Sequence, residues 1–285
     1  MPAQILDGLA TSKAIREEVK SEVERFVAET GVKPHLAVVI VGEDPASKVY
    51  VNMKKKAALS VSMLSTVHEL PENSTQQQVV EIVRQLSDDP NIHGVMVQHP
   101  VPEHLNELEI LSAVAREKDV DGISRESLGS LVTGDPLFIA ATPAGIIELL
   151  DRYNIPIQGQ HAVVVGRSII LGKPVALYLL NRNATVTICH SRTRDLAEMT
   201  LQADILVAAV GKPEMITGDM IKEGAVVIDA GYNKVEGRDK DVGDVEFESA
   251  SQKASWITPV PGGVGPMTIA MLLKNTMKAA RRLVY

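Results

Sequence analysis

Short apolar runs rich in valine and isoleucine recur along the chain, and segments with helical spacing follow most of them. The runs predict β-strands at residues 35–42, 63–70, 93–98, 161–166, 184–190, 203–210, 224–230 and 254–259. The intervening segments predict helices at residues 12–29, 45–61, 75–88, 104–116, 143–153, 173–182 and 267–283. Nearly continuous apolar strands are typical of parallel sheets covered by helices on both faces. The alternation therefore predicts an α/β protein with parallel sheets and right-handed crossovers.

The alternation is interrupted twice. Residues 117–141 are polar, contain glycine and lack a clear period, so they predict an irregular segment. A segment of that length in a compact α/β protein usually marks a functional loop or a domain boundary, and we predict the first boundary there. The second boundary is predicted at residues 259–268, PVPGGVGPMT, where three prolines and three glycines precede a helical tail.

Composition narrows the function classes. The chain has 285 residues, of which 45% are apolar and 3% aromatic, so we expect one large or two ordinary domains with aliphatic cores. A net charge of -7 argues against general nucleic-acid binding. A single cysteine, Cys189, excludes an internal disulfide and a cysteine-based zinc cluster. We predict a cytoplasmic protein without a metal site, and we expect neither a signal peptide nor a membrane span.

The loop GRSIILGKP, residues 166–174, joins a predicted strand to a predicted helix. A glycine-bearing turn before a helix N-terminus can direct backbone N–H groups and the positive helix end at a phosphate. The loop lacks a strict G-x-G-x-x-G, so a plain tight connection is an equally good interpretation of the spacing alone. Its candidate cofactor-binding residues are Gly166, Arg167, Ser168, Gly172 and Pro174.

The next predicted strand ends in CHSRT, where dinucleotide-binding folds contact the adenosine ribose. Hydroxyl and basic groups there suit a 2′-phosphate, so Ser191 and Arg192 favour NADP over NAD. The alternative is that Arg192 is simply solvated. Gly211 in VGKP and Tyr232 in DAGYN are further candidates, because they follow the next two strands along the same crevice.

The segment KVYVNMKKKAA, residues 48–58, contains four lysines that helical phase separates. At about 100° per residue, one stripe carries Ser47, Tyr50, Lys54, Ala57 and Val61, whereas Lys48, Asn52, Lys55 and Lys56 lie opposite. Spacing alone favours a buried Lys54 stem whose amine reaches water. The alternative is an amine withdrawn from water, whose neutral form could accept a proton near neutral pH.

These motifs, with KDVDG and ITPVPGGVGPMT, resemble the bifunctional methylenetetrahydrofolate dehydrogenase/methenyltetrahydrofolate cyclohydrolase family over almost the whole chain. The resemblance implies oxidation of 5,10-methylenetetrahydrofolate with NADP, and then hydrolysis of the methenyl product to 10-formyltetrahydrofolate. It implies a folate-binding catalytic domain of residues 1–141 plus 267–285 and a doubly wound, Rossmann-type NADP-binding domain of residues 142–266. It also implies a cleft between these domains, tetrahydrofolate derivatives as ligands, and a homodimer.

The resemblance assigns roles to individual residues. Tyr50 and Lys54 match the family's Tyr-x-x-x-Lys pair, in which the lysine handles the proton of hydrolysis. Gln98 matches the glutamine that holds this lysine, and Asp121 matches the aspartate that binds the pterin, so the candidate catalytic set is Lys54, Tyr50, Gln98 and Asp121. The candidate substrate-binding residues are Tyr50, Gln98, His99, Pro100, Asp121, Pro261, Gly262 and Gly263.

Several positions depart from the common family pattern, and three of them concern the candidate sites. His99 replaces a leucine, and it could add a group that titrates near pH 6–7 or be a tolerated polar replacement, which we favour. Ala141 replaces a cysteine, and Tyr232 replaces an aliphatic residue near the cofactor. The departures leave open a monofunctional dehydrogenase with weak cyclohydrolase activity. A nucleotide-sensing protein without catalysis and a dehydrogenase of a shikimate-like substrate are less compatible with these motifs.

Overall fold

The structure is a computed structural model that describes residues 2–238 and 241–285. Its strands are β1 Gln4–Ile5, β2 His35–Val41, β3 Leu64–Leu70, β4 Gly94–Val97, β5 His161–Val165, β6 Thr185–Cys189, β7 Ile205–Ala208, β8 Val226–Asp229 and β9 Trp256–Ile257. Its α-helices are α1 Gly8–Thr30, α2 Pro45–Ser60, α3 Gln76–Asp88, α4 Glu107–Leu111, α5 Arg125–Thr133, α6 Ala141–Arg152, α7 Gly172–Asn181, α8 Leu196–Thr200, α9 Phe247–Ser251 and α10 Val264–Val284. Across those residues, no helix combines the length and apolar character that a bilayer crossing requires.

The chain forms two compact units. One, the three-stranded unit, contains Lys13–Ala141 and Ile269–Tyr285. The other, the six-stranded unit, contains Thr142–Thr268 and the described residues up to Ser12. The predicted domain ranges also include Met1, Asp239 and Lys240, which lie outside the described residues.

The three-stranded unit has a parallel sheet in the order β3-β2-β4. Valine side chains such as Val39 and Val97 pack with Val83 of α3 in its core. Burying such branched aliphatic side chains stabilises the fold by roughly 1.5–3 kcal/mol each. The C-terminal helix belongs to this unit, because Asn275 of α10 donates hydrogen bonds to the carbonyl oxygens of Val120 and Ile139.

The six-stranded unit has a parallel sheet in the order β1-β9-β8-β7-β5-β6. Alternate residues of β5 enter two separate cores, since Val164 packs with Ile146 and Ile147 of α6 while Val163 packs with Leu206 of β7. Both faces of the sheet are therefore covered, as the apolar strands predicted. Because all the pairings are parallel, the segments that follow β5, β6, β7 and β8 emerge at one edge of the sheet.

The parallel α/β fold is confirmed, and every predicted strand is present with somewhat shorter bounds. The prediction that residues 117–141 are irregular is wrong, because this segment contains α5. Ser124 begins α5 by accepting a hydrogen bond from the N–H of Ser127 at 3.2 Å, and the helix ends before Gly134. The predicted helix at 104–116 is reduced to α4, and α8 and α9 were not predicted.

The first residues lie in a different unit from the predicted one. Residues 1–141 were assigned to the folate-binding domain, but β1 pairs in parallel with β9, joining Gln4 to Trp256 and Ile5 to Ile257. The N–H of Leu6 also donates to the carbonyl oxygen of Ile257 at 2.9 Å. These bonds place the described residues up to Ser12 in the six-stranded unit. A two-residue strand is too short to show alternation in the sequence.

Candidate catalytic and cofactor sites

Helix α2 separates Lys54 from Lys55 and Lys56 as helical phase predicted, whereas Lys48 is half-buried and forms an ion pair with Glu43. Asp44 caps the helix by accepting a hydrogen bond from the N–H of Ser47 at 2.7 Å. Lys54 is partly buried, whereas Lys55 and Lys56 are exposed. Tyr50 lies at the edge of the buried stripe, with 40% of its surface exposed, and Val51 takes the buried position.

Gln98 connects the end of β4 to Lys54. The N–H of Gln98 donates to the carbonyl oxygen of Val39 at 2.8 Å, which extends the sheet by one residue and buries the side chain. The amine of Lys54 donates a hydrogen bond to Oε1 of Gln98 at 2.8 Å. The other end of this amide, Nε2, donates to the carbonyl oxygen of His99 at 2.6 Å. Burial lowers the pKa of Lys54, and the negative charge of Asp121 opposes that shift.

His99 lies between two carboxylates. Its Nδ1 is 2.9 Å from Oε1 of Glu107, and its Nε2 is 3.7 Å from Oδ2 of Asp121. Burial disfavours the charged imidazole, but Asp121 and Glu107 outweigh burial and raise the pKa of His99 to about 9. This direction differs from the alternative of a group that titrates near pH 6–7, because the two carboxylates favour the protonated imidazole. Pro100 follows His99 through a cis peptide bond.

Asp121 is presented by a turn that Asp119 holds in place. The buried carboxylate of Asp119 accepts hydrogen bonds from the N–H groups of Gly122 and Ser124, each at 3.0 Å, and from the hydroxyl of Ser127 at 2.6 Å. Gly122 has a φ of +68°, and a Cβ on it would lie 2.6 Å from the carbonyl carbon of Ile139. Glycine is therefore required in this turn.

The charge of Asp121 is set by its neighbours. Burial acts against ionisation, but His99 and Lys54 outweigh it and hold the pKa of Asp121 below its ordinary value. The structure thus brings Lys54, Gln98, His99 and Asp121 together in the three-stranded unit. Ala141 follows this group with its N–H 3.3 Å from the carbonyl oxygen of Asp121, and its side chain is buried.

The predicted cofactor loop lies between β5 and α7. Gly166 has a φ of +133°, and a Cβ there would collide with the carbonyl oxygen of Ala209. Ser168 organises the far end of the loop, because its hydroxyl accepts hydrogen bonds from the N–H groups of Leu171 and Gly172 at 3.2 Å. A Cβ on Gly172 would in turn collide with the carbonyl oxygen of Gly166. Pro174 lies in the first turn of α7 and is buried.

The remaining cofactor candidates follow the neighbouring strands at the same edge of the sheet. Ser191 and Arg192 are exposed in a turn after β6, in which the N–H of His190 donates to the hydroxyl of Thr193 at 2.8 Å. No described residue forms an ion pair with Arg167 or Arg192. Tyr232 follows β8 with 51% of its surface exposed.

Two aspartates missed by the sequence analysis hold these loops. Asp244, which is fully buried, accepts hydrogen bonds from the N–H groups of Val210, Gly211 and Lys212 at 2.6, 3.0 and 2.9 Å. It also accepts one from Nδ2 of Asn233 at 3.0 Å. Asp229 accepts from the N–H of Asp244 at 3.0 Å. In the sequence, these aspartates are marked only by the neighbouring glycines, because a Cβ on Gly231 or Gly243 would collide with one of the carboxylates.

Pro261, Gly262 and Gly263 belong to the six-stranded unit, whereas Lys54, Gln98 and Asp121 belong to the three-stranded unit. The carbonyl oxygen of Gly262 accepts a hydrogen bond from the N–H of Leu9 at 2.8 Å. A Cβ on Gly8 would collide with the carbonyl oxygen of Gly263, so this loop and the start of α1 pack backbone to backbone.

Comparisons with known proteins identify the family of the chain. Residues 6–121 match the catalytic domain of the tetrahydrofolate dehydrogenase/cyclohydrolase family, and residues 140–284 match its NAD(P)-binding domain. The bifunctional protein FolD of Moorella thermoacetica is 62% identical over 282 residues, which cover 99% of this chain and 100% of that protein.

Solved structures are similar over the same length. The bifunctional FolD methylenetetrahydrofolate dehydrogenase/cyclohydrolase of Campylobacter jejuni superposes with a TM-score of 0.96 at 44% identity, over 98% of this chain and 99% of that chain. The dehydrogenase-cyclohydrolase of Trypanosoma brucei, solved with NADP and an inhibitor, has a TM-score of 0.95 at 39% identity, over 99% and 98% of the two chains.

Proposed function

The chain belongs to the tetrahydrofolate dehydrogenase/cyclohydrolase family, and on that premise we propose that it catalyses both reactions of the bifunctional enzymes. It oxidises 5,10-methylenetetrahydrofolate to 5,10-methenyltetrahydrofolate with NADP, and it hydrolyses that product to 10-formyltetrahydrofolate. The observation that carries the second activity is the hydrogen bond from the Lys54 amine to Gln98. No feature of the site favours the monofunctional alternative, because both residues of this pair are in place.

We propose that Lys54 is the proton acceptor of hydrolysis. Water that adds to the methenyl carbon must lose a proton, and a neutral amine can take it. Burial favours the neutral amine by lowering the pKa of Lys54. Gln98 acts as a positioning residue, since its amide is held at one end by the carbonyl oxygen of His99 and directs Oε1 at the amine. Tyr50, one turn before Lys54 on α2, is proposed to orient the amine or stack on the pterin.

We propose that Asp121 binds the pterin. An ionised carboxylate can accept two hydrogen bonds from the 2-amino group and the adjacent ring N–H. Two features support this role: the lowered pKa of Asp121 keeps it ionised, and Asp119 fixes the turn that presents it. His99 and Pro100 are proposed to complete the folate contacts of the three-stranded unit. Pro261, Gly262 and Gly263, which belong to the six-stranded unit, keep the folate-binding role that the family resemblance implies for them.

In the six-stranded unit, we propose that NADP binds along the loop between β5 and α7. Gly166 and Gly172 keep this loop compact, because a Cβ on either would collide with the backbone of Ala209 or of the loop itself. We propose that the diphosphate binds beside this loop at the N-terminus of α7. The phosphates of NADP would be held by Arg167, Ser168, Ser191 and Arg192, of which Arg192 would bind the 2′-phosphate. The remainder of the cofactor would contact Pro174, Gly211 and Tyr232. When bound, NADP accepts the hydride from the substrate carbon. The chain's own part in that step is to bind and align the two molecules.

We propose a homodimer in the cytoplasm that binds no nucleic acid. Strand β6 lies at one end of the strand order, and its Ile188 has 42% of its surface exposed. Leu180 of α7, the helix that packs on β6, is 54% exposed. Exposed apolar groups beside an edge strand suit a contact with a second copy. Light scattering during gel filtration tests this assembly, and a monomer at micromolar concentration would contradict it.

A steady-state assay tests the enzymatic proposal. The protein is supplied with methylenetetrahydrofolate and either NADP or NAD, and the methenyl and formyl products are both followed. We expect both products with NADP and slower turnover with NAD. A second assay supplies the methenyl compound without cofactor, so that loss of its absorbance above the enzyme-free rate reports hydrolysis alone. If the methenyl compound disappears only at its enzyme-free rate, the bifunctional assignment is wrong.

A further inference from the structure

His99 is placed so that it contacts both the proposed pterin-binding carboxylate and a second carboxylate that has no assigned role. Its side chain is 20% exposed, and Nδ1 is fixed by Glu107 of α4 at 2.9 Å. This bond directs the opposite nitrogen, Nε2, at Oδ2 of Asp121, 3.7 Å away. Nε2 is buried and forms no hydrogen bond within the described residues. Glu107 therefore orients the imidazole, and the imidazole interacts with Asp121 through charge and not through a hydrogen bond.

Lys54 and His99 act on Asp121 from other elements of the three-stranded unit, and Asp119 in the same turn is a further carboxylate that interacts with it. Lys54 faces it from α2, His99 follows β4, and Glu107 reaches His99 from α4. Among the described residues, the charge of Asp121 favours the protonated form of the Lys54 amine against burial. An imidazolium beside Asp121 offsets part of that negative charge. With a neutral side chain in place of His99, the full charge of Asp121 would act on the amine.

We propose that His99 is a positioning residue, which holds the Asp121 carboxylate for the pterin and reduces the hold of that carboxylate on the Lys54 proton. The inference rests on the proposed roles of Lys54 and Asp121. It gives His99 a function beyond that of a tolerated polar replacement. A histidine that merely filled space would need neither the Glu107 bond nor a nitrogen directed at Asp121.

The test compares the pH dependence of hydrolysis in four proteins. Wild type, His99→Leu and His99→Gln are supplied with methenyltetrahydrofolate without cofactor across pH 6 to 10, and the enzyme-free rate is subtracted at each pH. His104→Leu is the matched control, because His104 is exposed and bonds only the carbonyl oxygen of Ser74 among the described residues. The dehydrogenase KM for methylenetetrahydrofolate is measured in the same proteins.

We expect both His99 variants to move the rising limb of the hydrolysis profile to higher pH, while the His104 control keeps the wild-type profile. Hydrolysis at pH 7 should fall several-fold and recover towards the wild-type rate at the alkaline end. The KM for the folate should rise in both His99 variants because Asp121 is no longer held. The use of glutamine as well as leucine keeps the test valid if the leucine variant fails to fold.

The outcomes separate this inference from the proposed function. Superimposable pH profiles, or an equal loss of rate at every pH, would overturn the role of His99 while wild-type activity still supports the bifunctional assignment. A wild-type protein that hydrolyses nothing above the enzyme-free rate would overturn the proposed hydrolase function, and the inference with it.

Discussion

The amine of Lys54 donates a hydrogen bond to Oε1 of Gln98 at 2.8 Å, joining the middle of α2 to the end of β4. The partner is a neutral amide, so it orients the amine without the strong preference for the ammonium form that a carboxylate would impose. The amide cannot rotate freely, because its Nε2 is bound by the carbonyl oxygen of His99. A buried lysine held in this way can exchange a proton with a nearby water and remain in position.

Replacement of Lys54 should separate the two activities. In Lys54→Met the stem is retained and the amine is lost, so we expect hydrolysis to fall by about 10²–10⁴-fold, the usual contribution of a general base. Oxidation needs alignment and no base at the carbon, so it should be less affected. Both rates are measured separately, with Lys55→Met as the control because Lys55 is exposed on the same helix. Normal hydrolysis in Lys54→Met would remove Lys54 from the mechanism.

The exchange Gln98→Glu should trap the proton on Lys54. The side chain keeps nearly the same shape, but a carboxylate beside the amine raises its pKa. Hydrolysis should then be slow at pH 7 and should rise only at higher pH, although the hydrogen bond from Nε2 to the carbonyl oxygen of His99 is also lost. The measurement is a pH–rate profile for the methenyl compound. The control is Gln158→Glu, the same change at an exposed position, and an unshifted profile in Gln98→Glu would speak against proton transfer at Lys54.

The positions of two residues of this site could be predicted from the sequence pattern around each of them. The phase of Lys54 follows from the helical repeat alone, and the position of Gln98 follows from an apolar run that ends in a polar residue. The contact between Glu107 and His99 could not be foreseen, because the helix that carries Glu107 has only 5 residues and its boundaries were predicted far too wide.

Long-range contacts account for the other omissions. Asp244 bonds the N–H groups of residues 32 to 34 positions earlier in the chain, and no periodic pattern marks such a pairing. Strand β1 was missed for the same reason, since its partner β9 lies about 250 residues away. The roles of Lys54, Gln98 and Asp121 came from family resemblance and not from spacing.

Arg192 should determine the preference for NADP over NAD. Removal of its guanidinium in Arg192→Ser deletes a charge-assisted contact to the 2′-phosphate, which is worth roughly 1.5–3 kcal/mol. We therefore expect kcat/KM for NADP to fall by about tenfold or more. The reaction with NAD is the internal control, because NAD lacks that phosphate and its kcat/KM should be unchanged. Equal losses with the two cofactors would mean that Arg192 does not read the phosphate.

Asp244 should be required for cofactor binding although it is fully buried. In Asp244→Asn one carboxylate oxygen becomes an amide donor that faces backbone N–H groups, so the loop Val210–Lys212 loses part of its anchoring. We expect a higher KM for NADP, and a loss of stability of about 1–3 kcal/mol. Hydrolysis of the methenyl compound without cofactor should change much less.

The matched control for Asp244 is Asp241→Asn. Its carboxylate makes no hydrogen bond to a described residue, so both KM and thermal stability should match the wild type. An Asp244→Asn protein with a wild-type KM for NADP would show that the loop does not need this carboxylate.

His99 should make stability depend on pH in the alkaline range. Its pKa rises from an ordinary 6.5 to about 9 on folding, so between these values the folded protein binds a proton that the unfolded chain does not. The stabilisation is therefore complete below pH 6.5 and is lost as the pH rises through 9. A shift of that size corresponds to about 3 kcal/mol. The stability of the wild type should exceed that of His99→Leu by the largest margin near pH 6. At pH 10 this margin should be smaller by about 3 kcal/mol.

Thermal unfolding of both proteins at a series of pH values measures this margin. The same pair made in a Lys54→Met background removes the titration of Lys54, which we propose depends on His99. His104→Leu provides the comparison, because His104 is exposed and no described carboxylate forms an ion pair with it. A margin for His99→Leu that is independent of pH would mean that the imidazole carries no charge held by Asp121 and Glu107. A margin that grows with pH would mean that burial outweighs the two carboxylates, so that His99 is neutral in the folded protein.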